Sequence, residues 1–418
     1  MSKSDKIKES LKKTRQKRKS QNCKVFEMKI DESKLSNEKL RKLNDCFVQS
    51  KWIYNHLLSQ EKDVKFDPKS KNINVNVFNE KTQKCDKVEN RNLTIGSQIK
   101  QSICERFVKN IISLSKLKEK GFKIGKLKFK KEVNSVPLKQ FGCTYRIIDN
   151  KTIRIQSVGE LKVNGLEQIV GLEKANAHLI KKTSGYYIKI TCYKEKENLE
   201  TFGNIGIDFG IKDSVVLSDG RKFSWNFEIP DKLKRKQKKL SKKKKGSRNY
   251  AKQCKKIKKN YEEYTRKKDD AANKFVSSLK EYSKVVIQDE NIVGWHSNLF
   301  GKQVQQSILG RIKSRIKNLG TSIIIDRWLP TTKLSPVSGE NVEIGLNNRI
   351  FVDRGFSEDR DIKSAKTILT LGLFDSKLTS KELRSLPVED LISAFERFYP
   401  FESKLGPMNQ EAPSFKAG

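Results

Sequence analysis

Three acidic residues lie in segments that would hold a carboxylate in place, although they are far apart in the chain. Asp208 belongs to an apolar strand pattern, GIDFGIKDSVVLSDG, which continues into a second strand across a turn at Gly220. Glu290 closes the apolar run VVIQDE, and Asp361 opens an amphipathic helical pattern, DRDIKSAKTIL. Carboxylates from separate strands and a helix can hold two divalent cations about 3.5–4 Å apart, which stabilises the attacking and leaving oxygens of a phosphodiester together. These residues predict a magnesium-dependent nuclease site, with weak support from spacing alone because acidic residues are common at strand ends.

The composition strengthens that prediction. The chain has 418 residues, enough for two or three domains, and its 89 Lys and Arg outnumber 49 Asp and Glu to give a formal net charge of +40. A charge this large repels itself unless an anionic partner neutralises it, and a nucleic-acid backbone is the usual partner. No apolar stretch approaches the roughly 20 residues that span a bilayer, so no membrane partner is expected.

The cysteines and histidines form no recognisable metal or disulfide pattern. No two of the seven cysteines have CxxC spacing, which disfavours a zinc knuckle and a disulfide framework and favours a reducing, intracellular compartment. His56, His178 and His296 are scattered, and we expect each to be a packed or surface residue. The basic tail of residues 1–22 lacks an apolar signal core and is predicted to be disordered. Its KKTRQKRKS run fits either a nuclear address or an RNA-binding arm.

The first half of the chain predicts a β domain with a helical insert. Residues 23–30 have a strand pattern, and Ser36 is placed to cap a helix that continues to Gln60. Residues 61–92 are polar and predict a long loop or a short hairpin. A second helix is expected from Ser97 to about Lys120. Residues 123–196 then alternate as short strands (KLKFK, TYRIID, TIRIQSV, ELKVNGL, AHLIKKT and YYIKITCY), which predict a basic antiparallel barrel or sandwich.

The second half predicts an α/β arrangement after a linker at residues 198–202. Two strands are followed by a long charged helical segment, the VVIQDE strand, a helix over about 302–318 and the strand TSIIIDRW. Trp295 and Trp328 flank this part, and we expect both to pack rather than to stack on bases. We also expect a short helix near Val388 to Phe398 within a partly disordered tail.

A dense basic segment precedes a narrow helical seam. Residues 232–245 hold ten Lys or Arg in fourteen positions, a break follows at 246–249, and Tyr250, Cys254 and Ile257 then begin a seam at helical spacing. One interpretation is a solvated helical hairpin. Phosphate contact is favoured, because such a run would fray without an anionic partner. The predicted nucleic-acid-binding residues are Lys232, Lys234, Arg235, Lys236, Lys238, Lys239, Lys242, Lys243, Lys244, Lys245 and Arg248.

Together these segments resemble the TnpB family of transposon-encoded RNA-guided nucleases, which is kin to Fanzor proteins and compact type V CRISPR effectors. The resemblance covers nearly the whole chain from about Lys24, and several motifs occur in the right order. GIDFGIKDSVVLSDG is similar to the first RuvC motif, KLKRKQKKLSKKKKGSRN to the basic helix with its GS break, and VVIQDENIVGWHSNLFGKQVQQSILGRIK to the second RuvC motif. DRWLPTTKL and EDRDIKSAKTIL resemble the stretches around and after the zinc ribbon.

The resemblance implies an α+β multidomain protein with an RNase H-like (RuvC) α/β nuclease domain and a β-barrel wedge domain. The implied wedge occupies 23–35 and 120–200, with a helical recognition insert at 36–119. The nuclease domain occupies 201–330 and 356–372 and contains a basic helical hairpin at 230–280. A degenerate zinc-ribbon, target-nucleic-acid-binding segment lies at 331–355 and a C-terminal tail at 373–418.

The resemblance also implies function. Asp208, Glu290 and Asp361 would bind two Mg²⁺ ions and be catalytic. The protein would bind a structured guide RNA as a monomeric ribonucleoprotein, and would cut target DNA beside a short adjacent motif. Its compartment would be cytoplasm or nucleoid in a prokaryote and the nucleus in a eukaryotic or viral setting. The alternatives are a catalytically inactive RNA-guided DNA-binding repressor and a basic RNA-binding protein whose acids only cap strands.

One departure from the family concerns the second acid. Most members have it at the position of Gln288, which cannot supply the negative charge of a metal ligand. Strand residues two apart share a face, so Glu290 is predicted to return a carboxylate to the same metals, with Asp289 facing the other side. Some relatives resemble this chain in having the shifted glutamate. A rearranged active site is therefore favoured over an inactive one.

A second departure concerns zinc. The family's ribbon cysteines correspond to Ser335, Ser338, Val352 and Arg354 in this chain. Serine hydroxyls are poor zinc ligands, and no cysteine follows Cys254, so no zinc is expected. The segment must therefore fold by packing alone or stay loose. Nearby arginines are expected either to form structural ion pairs, the favoured role, or to contact the scissile phosphate: Arg327, Arg349 and Arg360.

Overall fold

A computed structural model describes residues 3–60, 65–79, 84–196, 200–297, 300–345 and 347–401. The chain is mixed α/β and divides into two compact units, Met1–Glu197 and Asn198–Gly418. Each unit has its own sheet, so the predicted combination of helices and strands in a multidomain protein is confirmed at this level. No helix within the described ranges has the length and apolarity needed to cross a membrane.

The first unit is built on a seven-stranded antiparallel sheet with two long helices packed against it. The sheet has the order β4-β8-β9-β1-β7-β6-β5, and a separate hairpin of β2 and β3 joins the two helices. Ser36 caps the first long helix as predicted, because its side chain accepts a hydrogen bond from the Lys39 N–H. The elements are α1 (Lys3–Lys19), β1 (Gln21–Ile30), α2 (Asn37–Ser59), β2 (Asn72–Asn79), β3 (Lys84–Asn92), α3 (Ser97–Glu119), β4 (Ser135–Leu138), β5 (Tyr145–Asp149), β6 (Thr152–Ile155), β7 (Gly159–Asn164), β8 (Glu173–Lys182) and β9 (Gly185–Glu195).

The N-terminal tail and one predicted strand differ from the sequence-based expectation. The tail predicted to be disordered forms helix α1. Arg18 near its end lies 2.6 Å from the Glu173 carboxylate and 3.5 Å from the centre of the Tyr193 ring. The sequence pattern did not reveal these partners because they are distant in the chain, Glu173 by 155 residues. The KLKFK segment at 126–130 is not a strand; the neighbouring β4 takes the sheet edge beside β8.

The second unit is built on a five-stranded sheet with the order β12-β11-β10-β13-β14. Its first three strands are antiparallel neighbours, whereas β10, β13 and β14 run parallel. The elements are β10 (Asn204–Phe209), β11 (Val215–Leu217), β12 (Lys222–Phe223), α4 (Asp231–Ser241), α5 (Arg248–Ser278), β13 (Lys284–Gln288), α6 (Ile292–Ser297), α7 (Gly301–Gln306), α8 (Leu309–Ile316), β14 (Ser322–Ile325), β15 (Ile350–Asp353), β16 (Phe356–Asp359), α9 (Arg360–Phe374), α10 (Ser380–Ser385) and α11 (Val388–Phe398).

Alternation along β13 divides the core of this unit between two faces of the sheet. Val285 and Ile287 pack with α5 and α8, whereas Val286 packs with α9 and the C-terminal helices. The predicted single helix over 302–318 is broken into α7 and α8. The helix predicted near Val388 to Phe398 is confirmed as α11, and the tail predicted to be partly disordered also forms α10, with Phe395 and Tyr399 fully buried beside α9. Residues 402–418 lie outside the described ranges.

Candidate active site

Two of the three predicted acids lie at one edge of the second unit's sheet. Asp208 is near the carboxyl end of β10, and Glu290 follows β13 by two residues. Because β10 and β13 are parallel, their carboxyl ends meet at the same edge. Asp361 lies in the first turn of α9, and Gly206 lets this helix approach β10 closely, since a Cβ there would lie 2.1 Å from the Ala365 carbonyl oxygen. This packing brings the helix that carries Asp361 against the strand that carries Asp208.

Asp361 and Glu290 both lie within electrostatic reach of Asp208. Burial, followed by repulsion from Asp361 and Glu290, raises the pKa of Asp208 to about 7. Burial also raises the pKa of Glu290, against the opposing charges of Lys313 and Arg327. Within the described residues, no three Asp, Glu, His or Cys side chains form a ready metal cluster. The predicted acids are therefore within electrostatic reach without being assembled as ligands.

Asp361 is engaged by two cations. Its Oδ2 lies 3.4 Å from Nη1 of Arg349, and its Oδ1 accepts a hydrogen bond of 3.1 Å from Nε of Arg360. Arg360 also donates to the Asn348 carbonyl oxygen. Both arginines thus form ion pairs, which was the favoured prediction for them. Both contacts neutralise part of the carboxylate charge, so a metal at Asp361 would compete with the two guanidinium groups for it.

Asp289, beside Glu290, has a different environment. Its carboxylate lies 2.7 Å from Nζ of Lys313, 2.7 Å from Nζ of Lys317 and 3.2 Å from Arg327. These cations, Lys313 first, hold the pKa of Asp289 well below its usual range. Asp289 is a structural ion-pair centre, and Arg327 takes its predicted ion-pair role there.

Gln288 has a structural role that the sequence did not reveal. Its buried Nε2 donates to the carbonyl oxygens of Asp326 at 3.1 Å and Leu329 at 2.8 Å, and its Oε1 accepts a hydrogen bond of 3.1 Å from Thr331. Strand β13 ends at this residue, and the Glu290 N–H bonds back to the Gln288 carbonyl. A bend after the strand, and not strand alternation as predicted, therefore sets the position of Glu290.

We expect Gln288→Glu to destabilise the second unit instead of restoring a metal ligand. A carboxylate at this position would face two carbonyl oxygens with no proton to share, and we expect it to lower the free energy of unfolding by about 2–4 kcal/mol. Chemical denaturation measures this, and Gln303→Glu is a matched control because Gln303 is exposed. Equal stability of the two variants would contradict the structural role of the amide.

A chain of buried hydroxyls links Gln288 to Asp208. The Ser364 hydroxyl hydrogen-bonds to the Asp208 carboxylate, which lowers the pKa of that carboxyl against the raising effect of burial. Ser364 Oγ also lies 3.3 Å from Thr331 Oγ1, which donates to Gln288, so the single Ser364 proton serves either Asp208 or Thr331. The sequence alone did not indicate a role for Thr331 or Ser364. One sequence feature could have pointed to them. Lys363 and Ser364 are polar residues among apolar ones at the start of α9, where both are buried.

Ser335 and Ser338, which replace ribbon cysteines, are buried in a hydrogen-bonded turn. Ser338 Oγ donates to Asp353 at 2.6 Å, and Ser335 Oγ accepts from the N–H groups of Val337 and Ser338. The other two replaced positions, Val352 and Arg354, are exposed. A bridge between Leu334 and Asn341 and the β15–β16 hairpin complete the segment. Packing and hydrogen bonds hold its chain in a defined fold, which decides between the two predicted outcomes.

The basic segment forms a helical hairpin of α4 and α5. Leu233 is fully buried, and Gln253 donates to the Lys236 carbonyl, which fixes one helix on the other. Two of the eleven predicted contact residues, Lys236 and Lys243, are half-buried. The nine exposed ones are Lys232, Lys234, Arg235, Lys238, Lys239, Lys242, Lys244, Lys245 and Arg248. The hairpin therefore presents a cationic surface to solvent.

Trp295 and Trp328 differ in their exposure to solvent. Trp295 is half-buried against the core beside α5 and α8, as predicted. Trp328 was predicted to pack, but its side chain is 74% exposed. The prediction failed because Trp328 lies on a turn outside the sheet pattern.

Comparisons with known proteins extend this description. Residues 188–295 match the family OrfB_IS605, described as "Probable transposase". A "Putative RNA-guided DNA endonuclease" of Streptomyces pristinaespiralis is 30% identical over 185 residues, which are 41% of this chain and 46% of that protein. The chain therefore aligns with about half the length of this relative. A cryo-EM structure of a Cas12f1–sgRNA–target DNA complex matches with a TM-score of 0.39 and 12% identity, over 65% of this chain and 70% of that one.

Proposed function

We propose, from the resemblance to transposon-encoded RNA-guided nucleases that the family match and the curated relative bear out, that this chain is an RNA-guided DNA endonuclease. Its cleavage site would consist of Asp208, Glu290 and Asp361 in an RNase H-like (RuvC) domain. The observations that carry the proposal are the parallel pairing of β10 with β13 and the packing of α9 against β10, which bring Asp361 and Glu290 within electrostatic reach of Asp208. Half-buried acids that repel one another are stabilised by a cation, which is what a metal-dependent site requires.

The donor set fits magnesium. Carboxylate oxygens are the ligands that Mg²⁺ prefers in proteins, and bound Mg²⁺ ions would stabilise the attacking and leaving oxygens of the phosphodiester. Ser364 would orient the Asp208 carboxylate. Asp361 would exchange its contacts with Arg349 and Arg360 for the metal, and the released guanidinium groups could then pair with a phosphate.

The partners would be a structured guide RNA and a target DNA. The nine exposed cations on the hairpin of α4 and α5 would bind the phosphate backbone of the RNA or the DNA, without base-specific contacts. The motif beside the target would be read elsewhere on the protein. The segment at 331–355 would contact the target nucleic acid beside the cleavage site.

The test is cleavage by the native ribonucleoprotein. The protein is purified with RNA from its own locus, the bound RNA is sequenced, and a plasmid that carries the matching target is added with Mg²⁺. Guide-dependent cutting that EDTA stops is the expected result. Target binding without nicking at any Mg²⁺ concentration would instead support the inactive repressor, which the arginine contacts of Asp361 favour.

Neutralising two lysines of the hairpin should weaken RNA binding and reduce its salt dependence. Each lost phosphate contact lowers the slope of log K against log salt by about 0.7–0.9, so Lys238→Gln with Lys242→Gln should lower it by about 1.4–1.8. Filter binding across a salt series measures the slope. The matched control is Lys377→Gln with Lys381→Gln, two exposed lysines near α10. Equal changes in slope for the two double variants would show that RNA binding depends on the net charge of the protein and not on the hairpin.

A further inference from the structure

Trp328 is held in a rigid, solvent-facing position. It lies with Arg327 on a two-residue turn, and the Gln288 amide bonds to the carbonyl oxygens on both sides of that turn, those of Asp326 and Leu329. The Trp328 N–H also lies 3.4 Å from Asp326 Oδ1, and Leu329 is buried. The backbone on both sides of the indole is therefore fixed while the ring remains 74% exposed.

This turn lies at the same sheet edge as the predicted acids. It follows β14, which is parallel to β13, and β13 is parallel to β10. The carboxyl ends of the three strands therefore lie together, with Asp208, Glu290 and Trp328 near them. Three residues beyond the tryptophan, Thr331 enters the hydroxyl chain that reaches Asp208 through Ser364.

The charges around the turn suit a polyanion. Arg327 and Lys317 are exposed, whereas the neighbouring carboxylates of Asp289, Glu290 and Asp326 are half-buried, so the charge that faces solvent near the turn is positive. An aromatic ring with cationic neighbours is the combination that binds unpaired nucleotides, because every base offers a π face for stacking and the backbone supplies the negative charge. A paired base has its faces covered by its neighbours in the duplex.

We infer that Trp328 is a stacking platform for an unpaired nucleotide of the DNA strand that enters the cleavage site. The indole would hold the base while the flanking phosphate lies beside the carboxylates. This inference rests on the proposed function, since it requires single-stranded DNA at that sheet edge. Gln288 then acts as a positioning residue, because its amide fixes the turn that presents the ring.

The test compares Trp328→Ala, Trp328→Phe and Trp328→Leu in the complete ribonucleoprotein. Stacking on an aromatic side chain is worth about 1–3 kcal/mol per base, so Trp328→Ala should weaken single-stranded target binding by about 5- to 150-fold. Trp328→Phe should retain most of the affinity, and Trp328→Leu should resemble Trp328→Ala. Unfolding midpoints should match among all variants because the ring is exposed.

A fluorescence readout separates this inference from the proposed function. A target strand carrying 2-aminopurine should be quenched by the wild-type complex and by Trp328→Phe, and should remain bright with Trp328→Ala. Unchanged quenching and affinity in Trp328→Ala would overturn the inference, even if the wild-type complex cuts DNA. Full affinity in Trp328→Leu would also overturn it, because it would indicate a general apolar contact, such as one with a protein. Quenching by a wild-type complex that does not cut would support the inference while the proposed cleavage fails.

Discussion

Replacing Asp208 by asparagine should reduce DNA cleavage at least about a thousandfold, because loss of charge at a metal ligand removes several kcal/mol of transition-state stabilisation. Asparagine has nearly the same shape and can still accept a hydrogen bond from Ser364. Binding of guide RNA and target should therefore persist. Single-turnover cleavage of a matched plasmid measures the effect. Asp213→Asn is the control, since Asp213 lies on the following turn and only accepts a weak hydrogen bond from Ser224.

The stability of the metal-free protein gives a second readout for the same variant. The folded-state pKa of Asp208 is raised to about 7, so in EDTA the wild type should lose stability as the pH rises from about 4 towards 7. The side chain introduced by Asp208→Asn cannot ionise, so this variant should lose less stability than the wild type over the same pH range. Retained cutting by this variant would reject the assignment of the site. Parallel pH profiles of stability would show that folding does not raise the pKa of Asp208.

The apolar periodicities were sufficient to predict the elements that carry these acids. Strands β10 and β13 were predicted from continuous apolar runs, and α9 from its amphipathic pattern. Parallel pairing and the close approach at Gly206 then bring together the elements that carry the three carboxylates. A pattern of this kind encodes which face of an element is buried, and that was enough to place Asp208 and Asp361.

The same patterns could not predict which partner a polar side chain finds. Gln288 was interpreted as a missing acid, but its amide bonds to carbonyl oxygens 38 and 41 residues away in a turn without periodicity. Helix α1 was predicted to be disordered because its composition is basic, but Glu173 on a distant strand pairs with its last turn. Long-range hydrogen bonds and ion pairs depend on the course of loops, which apolar spacing does not describe.

The exposure of Trp328 is another feature that the sequence did not predict. A tryptophan is more often packed than exposed, so the sequence favoured packing. Its exposure results from a turn held by Gln288, whose position the sequence could not connect with it. Gln288, which stands where most of the family has an acid, is thus also the residue that holds the turn exposing the Trp328 indole.

Adjacent Asp289 and Glu290 offer a matched pair for the second acid. Glu290→Gln should lower cleavage by about a hundred- to a thousandfold, since the loss of one charge-stabilising contact in an active site costs about that much. Asp289→Asn should leave the chemistry intact. It should lower the free energy of unfolding by about 1–2 kcal/mol, because three cations lose their shared carboxylate. Single-turnover rates and chemical denaturation of both variants separate the two effects.

Four outcomes of this experiment distinguish the remaining alternatives. Loss of cleavage in Glu290→Gln alone identifies the shifted glutamate as the second acid, in place of the amide at residue 288. Loss in Asp289→Asn alone would move that role to the neighbouring carboxylate and would require Lys313, Lys317 and Arg327 to release it. If both variants cut at the wild-type rate, neither the charge of Asp289 nor that of Glu290 serves catalysis. If neither variant nor the wild type cuts while target binding persists, Glu290 is part of a binding protein, in which burial and the neighbouring Asp289 raise its pKa.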